Sequence, residues 1–183
     1  MKYNIETLLK EKDNNNFLLF WGHQPSSDGT ITASCLSQWW PSTFVVDKKE
    51  FKTAEHWMMA QKAELFNDEA IYNQILSTPS PKDVKELGRK IKNFDEGIWN
   101  SKREQVVVDG NLHKFSQDKK LKTYLLSTGT KILVEASPYD KIWGIGLKAD
   151  DNRASNPVTW QGLNLLGFAL MEVRDKLLNM DDH

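Results

Sequence analysis

A glutamate and a lysine on one predicted helix are the residues of this sequence best suited to do chemistry. Glu55 and Lys62 lie seven residues apart in the segment TAEHWMMAQK, residues 53–62. At about 100° per residue, seven residues make close to two helical turns, so both side chains lie on one face. Met58 and Met59 lie beside that face and give it apolar neighbours. A lysine in such surroundings has a lowered pKa, and its free amine can attack a carbonyl carbon while the carboxylate moves protons.

An ion pair spanning two turns of a surface helix is the alternative interpretation, because most helix charges are surface features. Glu55 lies in the first helical turn, where the helix dipole favours the carboxylate and suits a base better than an acid. Desolvation lowers the pKa of Lys62, whereas the charge of Glu55 raises it. Which effect is larger depends on burial, and the sequence leaves that open.

Two further segments combine aromatic, acidic and glycine residues. In DKIWGIG, residues 140–146, the two glycines let a ligand approach the backbone closely, although an edge strand after a turn is the structural alternative. In GIWN, residues 97–100, Trp99 precedes a helix predicted to be capped by Ser101 and Glu104. Backbone amides at a helix entrance favour anions, and a core tryptophan is the alternative.

Composition excludes several classes of protein. The chain has 183 residues, a formal net charge of -1 and a single cysteine, Cys35. One compact domain over residues 1–183 fits this length, and the charge argues against a duplex-binding protein. No Cys/His spacing indicates a zinc site, so we expect neither a metal nor a cofactor. The sequence has no apolar run long enough to span a membrane, and we expect a cytoplasmic protein.

The local patterns predict a mainly helical α+β fold with a small sheet. Strands are predicted at residues 17–21, 43–47, 130–135 and 141–145. Helices are predicted after Thr53 to about residue 66, from Ser80-Pro81 to about residue 92, after Ser101, after Asp118 to about residue 126, and after Thr159. Residues 149–157, ADDNRASNP, read as a loop.

Taken together, the motifs resemble those of the YbiA-like, or NADAR, family. They occur in family order from about residue 17 to residue 178, and the segment at 53–63 together with D-x-x-WGIG is a specific combination. The matching segments are FWG at 20–22, WWP at 39–41, TAEHWMMAQKA at 53–63, LGRKIKNF at 87–94, IWNSKREQVV at 98–107, SPYDKIWGIGL at 137–147 and WQGLNLLGFALMEVRDKL at 160–177.

The resemblance implies a single-domain α+β fold and N-glycosidase activity on ribose linked to a base. Its two associated substrate classes are phosphoribosylated pyrimidine intermediates of riboflavin biosynthesis and ADP-ribose on guanine bases of nucleic acid. Family functional positions map onto Glu55, Trp99 and Asp140, and the family lysine proposed to form a Schiff base maps onto Lys62. The loops at residues 24–34 and 149–158 do not align, and we expect them to set the choice of substrate.

We therefore interpret the chain as an N-glycosidase with Glu55, Lys62 and Asp140 as candidate catalytic residues. The candidate substrate-binding residues are Phe20, Trp21, Gly22, Trp99, Trp143, Gly144 and Asn164. A non-catalytic module that binds ADP-ribose or an NAD derivative is the alternative, since aromatic residues and glycine turns serve binding equally well. A structural or interaction protein is a third possibility, but it leaves the seven tryptophans unexplained.

Overall fold

The structure is a computed structural model that describes residues 1–10 and 16–181. Its contacts divide the chain into two compact units. The terminal unit consists of residues 1–37 and 119–183, and the central unit consists of residues 38–118. The prediction of one domain over residues 1–183 stays a prediction.

Helices dominate the described residues, and the strands are short. In chain order the elements are α1 (Ile5–Lys10), β1 (Phe17–Phe20), β2 (Phe44–Val46), β3 (Lys49–Phe51), α2 (Ala54–Leu65), α3 (Glu69–Ser77), α4 (Pro81–Gly88), α5 (Glu96–Gln117), α6 (Lys119–Ser127), β4 (Ile132–Glu135) and α7 (Leu165–Asp181). Single 3-10 turns lie at Ala33–Leu36 and Pro157–Thr159. This confirms the mainly helical α+β class. Within the described ranges, no helix is long and apolar enough to cross a membrane.

In the terminal unit, β1 pairs with β4 in parallel, with Phe17 opposite Ile132 and Phe20 opposite Glu135. The apolar side of this pair is covered by α7, which also packs against α6. Ile132, Leu133 and Val134 are all buried. A parallel pair needs a long crossover between its strands, and here the whole central unit lies between β1 and β4 in sequence.

In the central unit, α2 lies in the middle and packs against α3, α4 and α5. Every residue from Ala54 to Ala60 is buried, because the neighbouring helices cover this part of α2 on all sides. Gly110 of α5 faces Trp57 of α2 so closely that a Cβ on Gly110 would lie 2.3 Å from Trp57 Cδ1. The indole of Trp57 also donates to the carbonyl oxygen of Val106, at 2.9 Å.

Local signals located several elements correctly. The helix after Thr53 and the strands near residues 17, 44 and 132 are confirmed. The helix beginning at Pro81 ends at Gly88 rather than near residue 92, and α1, α3 and β3 were not predicted. The helix expected after Ser101 begins at Glu96, because the Asp95 carboxylate accepts a hydrogen bond from the Ile98 N–H and caps it there.

The strand predicted at residues 141–145 and the helix start predicted at Thr159 are both wrong, and for one reason. Backbone N–H groups of residues 161, 163 and 164 donate to the carbonyl oxygens of residues 145, 141 and 144. These contacts use the backbone of both segments in an irregular pairing, so neither a strand ladder nor an early helical turn forms. The last helix begins only at Leu165.

Asn164 joins α7 to the parallel strand pair. Its Oδ1 accepts from the backbone N–H of Glu135 at 3.0 Å, and its Nδ2 donates to the carbonyl oxygen of Leu133 at 3.0 Å. The residue is fully buried and has a φ of 54°, a left-handed conformation that asparagine tolerates well. The amide thus extends the hydrogen bonding of β4 as a neighbouring strand would.

We predict that Asn164→Asp destabilises the protein by about 1–3 kcal/mol, because the buried Leu133 carbonyl loses its donor and faces a carboxylate. Aspartate tolerates the same backbone conformation, so the change acts through the side-chain contacts with β4 and not through backbone strain. Urea denaturation of the variant and the parent protein measures the difference. A loss below about 0.5 kcal/mol, typical of surface changes, would show that this amide does not hold β4.

Candidate active site

The start of α2 is fixed by side-chain and backbone hydrogen bonds. Thr53 Oγ1 accepts from the His56 N–H at 3.3 Å and bonds His56 Nδ1 at 2.8 Å. The other ring nitrogen of His56 contacts the carbonyl oxygen of Thr78 at 2.9 Å. This histidine is therefore part of the helix cap and its support. The predicted N-cap at Thr53 is confirmed.

Glu55 occupies the first turn of α2 and is only 3% exposed. Its backbone N–H donates to the carbonyl oxygen of Gln38 at 3.0 Å. The side chain of Gln38 is held in turn by Asn111 of α5, whose Nδ2 donates to Gln38 Oε1 at 2.7 Å. A surface position for Glu55 is therefore wrong. A buried carboxylate at the positive end of a helix is costly to maintain and is a feature of functional sites.

Lys62, two turns further along α2, is half-buried and has its amine held in place. Its Nζ donates to the carbonyl oxygen of Gly88 at 2.9 Å. The same Nζ lies 4.2 Å from the ring centroid of Phe94 and 5.7 Å from that of Trp99. On its covered side the amine thus has one carbonyl group and two aromatic rings as neighbours.

The surroundings of the Lys62 amine have opposing effects on its pKa. Burial lowers the pKa of Lys62 from its ordinary value, and the nearby Arg89 guanidinium lowers it further. The carboxylate of Glu55 raises the pKa of Lys62, so the two side chains are close enough to interact. The pKa of Lys62 is lowered overall, because burial is the largest of these effects. Desolvation therefore outweighs the charge of Glu55 in setting the pKa of Lys62, and the lowered pKa increases the fraction of free amine.

Gly88 and Phe94 are the residues of this site that sequence reasoning missed. Both belong to the segment LGRKIKNF at 87–94, where no role was assigned to them. A Cβ on Gly88 would lie 2.0 Å from Met59 Sδ, so with any other residue here the flexible Met59 side chain would have to move. Asn93 has a φ of 56° and directs the chain into Phe94, whose ring meets Phe66 edge-on at 5.3 Å.

Trp99 lies inside the first turn of α5, not before the helix as predicted. It is 8% exposed and forms a wall beside the Lys62 amine. Phe94, in contrast, is 45% exposed. Of the two rings, Phe94 has the free surface on which a flat ligand group could stack.

Asp140 and Trp143 lie in the terminal unit, in a turn. Asp140 Oδ1 accepts from the backbone N–H groups of Ile142 at 2.9 Å and of Trp143 at 2.7 Å. This arrangement shapes the turn and explains why an aspartate is suited to the position. The side-chain hydrogen bonds recorded for Asp140 among the described residues all end on Oδ1.

The glycines of the WGIG segment allow neighbouring backbone segments to pack closely. A Cβ on Gly144 would lie 2.8 Å from the carbonyl oxygen of Glu135. Gly162 lies against the carbonyl oxygen of Gly144, which a Cβ would approach to 2.3 Å. Gly146 has a φ of 69°, which favours glycine. Chain packing therefore accounts for these glycines, although the edge strand expected at this position does not form.

The remaining candidate residues of the terminal unit differ in accessibility. Phe20 is 3% exposed and belongs to the core, and Asn164 has both ends of its amide engaged with β4. Trp21 is 54% exposed, and its ring lies 6.0 Å from that of Tyr139. Gly22 follows with a φ of 85°. Of these, Trp21 is the side chain placed to meet a ligand.

The structure brings Glu55, Lys62 and Trp99 together in the central unit, and places the other candidates in the terminal unit. Among the described residues, no group of three or more His, Cys, Asp or Glu side chains is arranged to hold a metal ion. The central unit therefore presents an enclosed amine with a lowered pKa and a buried carboxylate on one helix. Such a pair can perform nucleophilic and acid–base chemistry on a carbonyl or anomeric carbon.

Comparisons with known proteins extend this description. Residues 19–178 match the NADAR domain. An N-glycosidase of Acanthamoeba polyphaga mimivirus is 38% identical over 169 residues, which cover 90% of this chain and 98% of that protein. N-glycosidase YbiA of Escherichia coli is 34% identical over 138 residues, covering 75% of this chain and 76% of YbiA.

An N-glycosidase of Nostoc punctiforme is 32% identical over 146 residues, covering 80% of this chain and 86% of that protein. The NMR structure of E. coli YbiA superposes with a TM-score of 0.70 at 28% identity, covering 92% of this chain and 88% of that chain. Because the domain match and these relatives span most of its length, the chain belongs to the NADAR domain family.

Proposed function

We propose that this protein, an N-glycosidase like its named relatives, hydrolyses the bond between a base and a phosphorylated or ADP-linked ribose. One observation carries the proposal. The amine of Lys62 is enclosed by Phe94, Trp99 and the Gly88 carbonyl, has a lowered pKa, and shares a helix with the buried Glu55. A protein that only binds its ligand has little need for a desolvated amine.

In the proposed reaction the Lys62 amine attacks the anomeric carbon, the bond from that carbon to the base breaks, and the base leaves with a proton. The bond from the same carbon to the ring oxygen then breaks, the oxygen takes the remaining amine proton, and an imine joins Lys62 to the opened ribose. Water then adds to the imine carbon, and cleavage of the carbon–nitrogen bond regenerates the amine. Glu55 takes and returns the protons of these steps.

The Gly88 carbonyl suits this chemistry. A neutral amine keeps two N–H groups, so it can donate one to Gly88 while its lone pair points elsewhere. The hydrogen bond therefore orients the lone pair in the state that reacts. Fixing a nucleophile in this way removes much of the entropy cost of reaching the transition state.

The positive charge of Arg89 near the Lys62 amine favours an anionic substrate. Arg89 lies close enough to Lys62 to lower its pKa, and its exposed side chain also pairs with Glu86. A guanidinium beside the reacting amine can bind a phosphate of the substrate. This favours phosphoribosylated pyrimidines or ADP-ribosylated guanine over an uncharged nucleoside.

The family resemblance also assigns a functional role to Asp140. Its Oδ1 is engaged in the turn, so we propose that Oδ2 contacts the ribose or a water molecule. We expect the reaction to take place in the cytoplasm, since the one cysteine, Cys35, cannot form an intrachain disulfide.

Release of free base from defined substrates tests the proposed function. The protein is incubated with a phosphoribosylaminopyrimidine and with an oligonucleotide that carries ADP-ribosylated guanine, and mass spectrometry detects the products. We expect release from at least one of them. Binding of ADP-ribose without release of base from either substrate would instead favour the non-catalytic binding module.

We predict that Glu55→Gln keeps the fold and lowers kcat by about 10²–10⁴-fold, the usual cost of removing one acid–base group. Glu64→Gln is the matched control, because Glu64 lies on the same helix with an exposed side chain. We expect the control to retain the parent kcat. Retention of more than about a third of kcat by Glu55→Gln would remove this residue from the mechanism.

We predict that Phe94→Ala moves the acidic limb of the kcat–pH profile to higher pH and lowers kcat at neutral pH. Removing the ring lets water reach Lys62, so the pKa of the amine rises towards its ordinary value and less free amine is present. Phe94→Leu is the control, because it keeps an apolar cover without an aromatic ring. If both variants keep the parent profile, Phe94 does not set the pKa of the nucleophile.

A further inference from the structure

A cavity of about 330 Å³ lies in the terminal unit, lined from α1, the residues before it, the turn before β4, and α7. Its wall includes the apolar side chains of Leu8, Ile132, Phe168 and Met171. None of the candidate catalytic residues lines it. Residues 2–8, which contribute one side of the wall, precede the segment that matches the NADAR domain.

A nearly buried guanidinium, that of Arg174, lines this cavity and is 4% exposed. Its Nη1 donates to Thr128 Oγ1 at 2.8 Å and to the carbonyl oxygen of Lys131 at 2.9 Å. These are the hydrogen bonds that the structure records for this side chain within the described ranges, and both come from Nη1. The edge formed by Nε and Nη2 is the one that binds a carboxylate through two parallel hydrogen bonds.

The charges that line the cavity do not cancel. Lys2, Arg174 and Asp175 are its charged residues. Asp175 Oδ2 accepts from Lys2 Nζ at 2.8 Å and from the Tyr3 hydroxyl at 2.8 Å, and the same carboxylate also attracts the neighbouring Arg174. Two cations thus share one carboxylate, and one positive charge remains uncompensated. Arg174 carries its charge in surroundings that are mostly desolvated, so a bound monoanion would offset part of the cost of burying it.

We propose that this cavity binds a small monoanionic carboxylate with an apolar body. The carboxylate would accept hydrogen bonds from Nε and Nη2 of Arg174, and the hydrocarbon part of the ligand would lie against Leu8, Phe168 and Met171. A single carboxylate matches the one uncompensated positive charge, whereas a phosphate dianion would meet Asp175 with excess negative charge. The site is separate from the proposed glycosidase chemistry and does not depend on it.

Hexanoate and hexanamide are suitable probes, because they share an apolar chain and differ in charge. Titration of the full-length protein at low salt, followed by NMR chemical shifts, gives the two dissociation constants. We expect saturable binding of hexanoate at least about tenfold tighter than that of hexanamide, as a charge-assisted pair of hydrogen bonds implies. Equal affinity for the two probes, or no saturable binding of hexanoate, would overturn the proposal.

Two variants of Leu178 test the cavity without disturbing the hydrogen bonds of Arg174. Leu178 lines the cavity and is 48% exposed, so polar substitutions there leave the core intact. Leu178→Asp adds a negative charge and is expected to weaken hexanoate binding severalfold relative to Leu178→Asn, which has the same shape. Equal hexanoate affinity in the two variants would place binding elsewhere and contradict the assignment.

Discussion

The hydrogen bond from the Lys62 amine to the Gly88 carbonyl oxygen fixes the reactive end of a long, flexible side chain. Gly88 can accept this bond because α4 ends directly against α2. A Cβ at that position would lie 2.0 Å from Met59 Sδ, so the missing side chain leaves room for Met59 between the two helices. The contact between two helices therefore decides where the amine lies and which groups surround it.

The same packing sets the electrostatics of the site. Burial lowers the pKa of Lys62 more than Glu55 raises it, and Phe94 and Trp99 cover part of the amine. Glu55 is itself buried, at the positive end of α2. A buried carboxylate and a half-buried amine on one helix are expensive for stability, since hydrophobic residues would pack there at lower cost. The proposed function gives both groups a chemical role that would offset this cost.

Local sequence patterns predicted those parts of the site that lie on a single helix, α2. Thr53 is recognisable as an N-cap, and the seven-residue spacing places Glu55 and Lys62 on one face. Gly88, unlike Trp99, could not be predicted as a neighbour of the amine, because it is 26 residues from Lys62 and reaches it only through the packing of α4 on α2. The strand predicted near Asp140 fails for a related reason, since hydrogen bonds from residues 161–164 replace a strand ladder there.

Borohydride trapping tests directly whether the Lys62 amine is the nucleophile. The reductant is added during a single turnover with a substrate that releases base, and peptide mapping by mass spectrometry locates the adduct. We expect a ribose-derived mass on Lys62, present in a Lys85→Arg control and absent from Lys62→Arg, because a guanidinium stays protonated. An active Lys62→Arg variant, or turnover that never labels Lys62, would show that Glu55 acts with an activated water and that no imine forms.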